Sequence, residues 1–111
     1  MSLADLLAQY GLPVSPEVQT DGGWCVYLIL CGNGSLYCGI SNRPAERFAS
    51  HAAGKGAKFT RMHKPVEMRL LYRGLCRSQA AVLEPSVKKL KPCQKKQLWA
   101  FAAQAATLEA V

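Results

Sequence analysis

The 111-residue sequence predicts one small domain of mixed α/β (α+β) class, with the order (α)-β-β-α-β-α-α. Three observations carry this. Residues 24–31 (WCVYLILC) form an apolar, β-rich run, followed at once by the turn tripeptide Gly32-Asn33-Gly34. A second such run spans Val66 to Tyr72. The segments that follow each strand region have helical apolar spacing and open on capping residues or prolines.

Residues 2–10 (SLADLLAQY) repeat apolar side chains at helical spacing, with Ser2 placed to cap the first turn. Gly11, Pro13, Pro16 and Gly22-Gly23 break that pattern, so residues 1–22 are read as an N-terminal helical appendage and linker. Trp24 to Cys31 is the first strand and Leu36 to Ser41 its return. The Gly-Asn-Gly link tolerates the positive φ that tight hairpins require. Asn42 is placed to cap the next helix, with Pro44 in its first turn and Gly54 or Gly56 at its end. GKGAKFTRMHK, residues 54–64, is a basic, glycine-containing loop before the third strand. Ser78 opens a helix through about Leu90, interrupted by Pro85, and Pro92 starts a last helix running towards Leu108. The domain proper is expected over residues 23–98, with 99–111 as the end of the last helix and a tail.

Charge is distributed unevenly. All 14 Lys and Arg lie between Arg43 and Lys96, against Glu46, Glu67 and Glu84, a local charge of +11 within a chain of net +7. A basic block of this density points to a polyanionic partner, the alternative being a solvated surface that maintains solubility. Cys25, Cys31, Cys38, Cys76 and Cys93 form no C-x-x-C pair and are odd in number. Their spacing fits neither a zinc site nor a disulfide framework, and the first three read as small apolar strand residues in a reducing compartment. The longest apolar run is too short to span a bilayer, and no Lys or Arg precedes Arg43 to form the positive region of a secretory signal. A cytoplasmic protein is expected.

The hairpin register has a chemical consequence. With a three-residue loop at Gly32 to Gly34, Cys31 faces Ser35, Ile29 faces Tyr37 and Tyr27 faces Gly39. Side chains alternate across a strand, so Tyr27 and Tyr37 fall on one sheet face as diagonal neighbours, roughly 7–8 Å apart. A two- or four-residue loop would separate them. Gly34 and Gly39 are expected to serve the turn geometry.

"VYL" with Tyr27, followed ten residues on by "YCG" with Tyr37 and Gly39, resembles the two signature elements of the GIY-YIG nuclease domain. Arg47 ten residues after Tyr37, the loop HAAGKGAKFTR from His51 to Arg61, and Glu84 after the third strand extend the likeness. It covers about residues 23–98 and is similar to the small stand-alone bacterial members and to the N-terminal nuclease domain of the excision-repair endonuclease. The resemblance implies a three-stranded antiparallel sheet flanked by helices. It also implies cleavage of DNA phosphodiester bonds with one divalent ion, Mg²⁺ or Mn²⁺, in DNA repair or recombination. The expected partner is DNA, whether double-stranded, single-stranded or branched; no membrane is involved, and the protein is a monomer or weak dimer.

The chemistry of the residues agrees. Phosphodiester hydrolysis needs a positioned water, neutralised phosphoryl oxygens and a stabilised leaving oxygen. Tyr27 is the candidate to activate or orient the water, aided by nearby cations because its ordinary pKa is about 10. Tyr37 would hydrogen-bond the same cluster, and Arg47 can grip a phosphate bidentately. His51, four residues on, shares the Arg47 helix face and is either a phosphate contact or an exposed surface residue. Glu84 is the candidate metal ligand. Arg43, Lys55, Lys58, Arg61 and Lys88 are candidate nucleic-acid contacts, and Lys89, Lys91, Lys95 and Lys96 either extend that track or form a wet helix face. Pro85 directly after Glu84 biases the aim of the carboxylate. Two other readings stand beside this one: a catalytically weak nucleic-acid-binding protein of the same fold, and a small basic RNA-binding module.

Overall fold

The computed structural model describes residues 2–14, 23–55 and 63–107. Helix α1 (Leu3–Gln9) precedes strands β1 (Trp24–Cys31) and β2 (Leu36–Ser41) and helix α2 (Pro44–Ala52). Strand β3 (Pro65–Leu75), helices α3 (Arg77–Lys88) and α4 (Pro92–Phe101) and strand β4 (Ala103–Thr107) follow. The sheet is antiparallel throughout, in the order β2-β1-β3-β4. No helix among the described residues is long and apolar enough to cross a membrane.

The β1–β2 register is the one the odd loop requires: Tyr27 pairs with Gly39 and Ile29 with Tyr37. Gly34 supplies the positive φ of the turn, +84°, and the Cys31 amide donates to the Ser35 carbonyl at 2.9 Å. Alternation then divides the core in two. Cys25, Tyr27, Ile29, Cys31 and Met68 face α2, where Phe48 closes the layer. Val26, Leu28, Cys38, Tyr72 and Leu75 face the opposite way, under Leu6 and Leu7 of α1, Ala80, Leu83 and Val87 of α3, and Leu98 of α4. Helix α1, capped by a reciprocal Ser2–Asp5 box, thus belongs to the larger core layer.

The sheet has four strands, not the three expected. The last helix does not run towards Leu108; it stops at Phe101, and Ala102 turns extended (φ −79°, ψ 149°). Ala103–Thr107 then pairs with the outer edge of β3, Leu70 opposite Ala103 and Glu67 opposite Thr107. Alanine favours helix by only a few tenths of a kcal/mol over most residues. Continuing the helix through AQAAT would bury almost no apolar surface, whereas β3 presents a row of unpaired backbone groups. Arg69 of β3 anchors the change of direction. Its guanidinium donates to the Trp99 carbonyl at 2.7 Å, sits 4.3 Å from the centre of the Trp99 ring, and pairs with Glu67 at 2.6 Å.

Other boundaries shift for local reasons. Helix α2 is capped at Arg43 and not at Asn42; the Arg43 amide donates instead to the Ser41 hydroxyl at 2.9 Å. Gly54 ends that helix with φ +77°. Pro85 lies inside α3 without interrupting it. Its ring removes one hydrogen bond, to the Ala81 carbonyl, while the buried stripe Ala80, Leu83 and Val87 holds the helix to the sheet on either side.

Candidate active site

Tyr27 stands in the middle of the central strand β1 and is 1% exposed. Its ring lies directly over Gly39, its partner across the hairpin. A Cβ at Gly39 would sit 2.4 Å from the Tyr27 hydroxyl oxygen and 2.5 Å from Cζ. Gly39 is therefore not a turn residue. It is a strand residue whose missing side chain leaves room for the tyrosine. Gly39→Ala is expected to lower Tm by several degrees, overpacking of this kind costing about 1–3 kcal/mol, and to displace the hydroxyl. A thermal melt and a cleavage assay check it; an unchanged melt with unchanged activity would contradict the contact.

The Tyr27 hydroxyl lies 3.1 Å from Nε2 of His51, which is fully buried at the C-terminal end of α2. His51 is therefore not an exposed surface residue; it packs under the sheet face. Its ring meets Tyr37 edge-on at 5.5 Å between centroids and Tyr27 at 6.2 Å. Burial lowers the His51 pKa below its ordinary 6.5, and the Arg47 guanidinium one helical turn back lowers it further. Burial pushes Tyr27 the other way, up to about 12, opposed by Arg47, which faces the hydroxyl. Both shifts favour the uncharged forms, a phenol beside an imidazole.

Glu84 approaches from the opposite face, on α3, where it perturbs the buried Cys38 thiol of β2; burial, then Glu84, raises that thiol to about 12. Lys88, one turn along α3, joins the two sides. Its ammonium is 3.7 Å from the Glu84 carboxylate and 5.6 Å from the centre of the Tyr37 ring. Tyr27, His51, Tyr37, Lys88 and Glu84 form one connected chain around the β2 edge, with Arg47 beside Tyr27. Arg43 pairs with Glu46 at 3.5 Å on the exposed start of α2. Arg43 and Arg47 line an open depression of about 210 Å³ together with Ser41 and Ser50. Those two serines were not anticipated, although Ser50 stands three residues after Arg47 on one helix face. Lys55 is exposed just past α2. Lys58 and Arg61 lie outside the described residues.

Among the described residues no group of three or more His, Cys, Asp or Glu gathers to hold a metal. Glu84, a partly buried carboxylate at the β2 edge, is of the type that suits Mg²⁺, which is held by one or two carboxylates with water and substrate phosphates as further ligands.

Comparison with known proteins agrees with this geometry. A family profile described as the GIY-YIG catalytic domain matches residues 23–97. The chain is 55% identical over 76 residues to a UPF0213 protein of Neisseria gonorrhoeae, covering 68% of this chain and 84% of that one. It is 40% identical over 87 residues to a UPF0213 protein of Cupriavidus necator, covering 78% and 91%. No solved structure matches the chain. With a sheet register that sets both tyrosines on one face and a family match spanning the whole hairpin-to-α4 unit, the chain belongs to the GIY-YIG catalytic domain family.

Proposed function

We propose that this protein is a metal-dependent endonuclease that hydrolyses DNA phosphodiester bonds in the cytoplasm, in repair or recombination. The observation that carries the reading is the connected chain Tyr27–His51–Tyr37–Lys88–Glu84 with Arg47 beside it. The Tyr27 hydroxyl holds the attacking water and takes its proton as its own passes to Nε2 of His51, in the tautomer that carries hydrogen on Nδ1. The water oxygen bonds to phosphorus as the opposite P–O bond breaks. Arg47 grips the phosphoryl oxygens. Glu84 would hold a divalent ion, Mg²⁺ or Mn²⁺, which supplies Lewis-acid stabilisation when bound.

Charge pairing supports the substrate class. The four acids among the described residues are all engaged: Asp5 in the α1 cap, Glu46 with Arg43, Glu67 with Arg69, and Glu84 with Lys88. Most of the basic block has no acidic partner there and is free for phosphates.

One observation favours the catalytically weak alternative: Lys88 sits on the carboxylate that would hold the metal. The RNA-module reading lacks such support, since stacking on bases needs exposed aromatics and Tyr27 is buried. The test is incubation of circular and linear DNA with Mg²⁺, Mn²⁺ or chelator, beside binding titrations across salt. Nicking that stops with chelator is expected, with affinity falling by a few units or more of log–log slope. Binding without cutting would select the weak-binder reading, and no binding at low salt would reject both.

A further inference from the structure

A cavity away from the candidate catalytic cluster lies at the tip of the β1–β2 hairpin. It holds about 370 Å³ between Asn33, Ser35 and Leu36 of the hairpin and Pro92, Lys95 and Lys96 of α4. No acid lines it, and neither lysine has a carboxylate partner among the described residues. Leu36 and Pro92 give it an apolar wall. The Asn33 side-chain oxygen accepts from the Ser35 amide at 3.1 Å, and both residues line the cavity.

We propose that this groove is a second substrate subsite, taking one flank of the nucleic-acid strand whose phosphodiester is cut at Tyr27 and Glu84. It rests on the nuclease reading above. Position supports it. Leu36, in the groove wall, and Gly39, against the Tyr27 ring, are three residues apart on β2, about 10 Å along the strand at ~3.3 Å per residue. Their side-chain positions fall on opposite faces: the groove lies on the α3–α4 face, from which Glu84 approaches, so the bound strand passes round the β2 edge between Tyr27 and the groove. Lys88 stands between, over Tyr37, and Lys95 lies near enough to Cys38 to act with Lys88 on its thiol. The ligand chemistry follows from the lining: phosphates on the two ammonium groups and a sugar or base against Leu36 and Pro92. Mixed cationic and apolar walls suit a nucleotide better than a free inorganic anion.

The test compares wild type, Lys95→Gln/Lys96→Gln, the exposed single change Lys96→Glu, and a control of equal charge loss, Arg73→Gln/Arg77→Gln. Fluorescent DNA oligonucleotides of one sequence and rising length are bound in chelator, then cut with Mg²⁺. Wild-type affinity should step up once the strand is long enough to reach the groove. The groove double variant should lose that step, bind long strands roughly tenfold more weakly, and show a salt slope shallower by about 1.4–1.8, the share of two phosphate contacts. Its KM should rise with kcat at saturation within about twofold, Lys96→Glu should follow the same pattern, and the control should fall well short of it. Equal losses on the shortest and longest strands, equal losses in the control, or a fall in kcat would overturn the subsite. A wild type that cuts DNA while the groove variants match it rejects the groove alone; a wild type that binds no oligonucleotide rejects the nuclease reading beneath it.

Discussion

Replacing Glu84 with alanine is expected to remove metal-dependent cutting, by about 10²–10³-fold or more, and to leave metal-free DNA binding intact or slightly tighter. The first effect follows from the role proposed for the carboxylate, since Lewis-acid stabilisation of a phosphoryl transition state is worth several kcal/mol. The second follows from charge: deleting an acid does not weaken attraction to a polyanion. The fold should tolerate the change, because Glu84 makes only a 3.7 Å i,i+4 pair with the half-exposed Lys88, and such pairs contribute about 0.3–0.5 kcal/mol. Arg47→Ala should differ, impairing cutting and reducing binding together through the loss of a phosphate contact. Pro85→Ala should leave activity equal or raise it, since the helix already runs unbroken through position 85 and alanine restores the missing donor to the Ala81 carbonyl. Nicking rate against metal concentration, beside a binding titration, separates the three variants. Undiminished cleavage by Glu84→Ala would refute the mechanism; an inactive wild type rescued by Pro85→Ala would identify a misaimed carboxylate.

Tyr27→Phe should lower the cleavage rate by about 10²–10⁴-fold, the usual contribution of a positioned proton-transfer group. The variant keeps the ring over Gly39 and deletes only the hydroxyl that meets His51 at 3.1 Å. Its stability should therefore change by about 1 kcal/mol, the net worth of one hydrogen bond. His51 supplies the pH signature. Its folded pKa lies below the unfolded 6.5, so as pH falls the unfolded chain takes up the proton first. Stability is complete above about pH 6.5 and declines as the pH drops from there to the folded value. Cleavage should fade on the acid side within the same window, where imidazolium can no longer accept the Tyr27 proton. His51→Gln should flatten the acid limb of both curves. Melting and rate profiles between about pH 5 and 8 test it; a wild-type rate for Tyr27→Phe, or an acid limb that persists in His51→Gln, would remove the proton relay.

The hairpin and the placing of both tyrosines were legible because their signals act over a few residues. A period-2 run, a Gly-Asn-Gly turn and an odd loop length together leave one register, and that register puts Tyr27 opposite Gly39 and on the Tyr37 face. The charge map was legible for the same reason, being composition read in order. What the sequence could not reveal depends on partners brought from far along the chain. AQAAT has alanine's weak helical preference, and Arg69, thirty residues before Trp99, ends the helix and opens a strand edge to it. The sequence leaves His51 open between a phosphate contact and a surface residue, and only the packing of α2 lays it under the sheet against Tyr27. Gly39 looked like turn chemistry until the tyrosine ring occupied the space where its side chain would be. Tyr37 belongs to β2 and Glu84 to α3, which packs on the sheet face opposite to Tyr27, and only that packing lets Lys88 reach both. Local backbone preferences of a few tenths of a kcal/mol set the sequence's own contribution; side-chain burial and pairing, each worth one to several kcal/mol, decided where the candidate catalytic groups met.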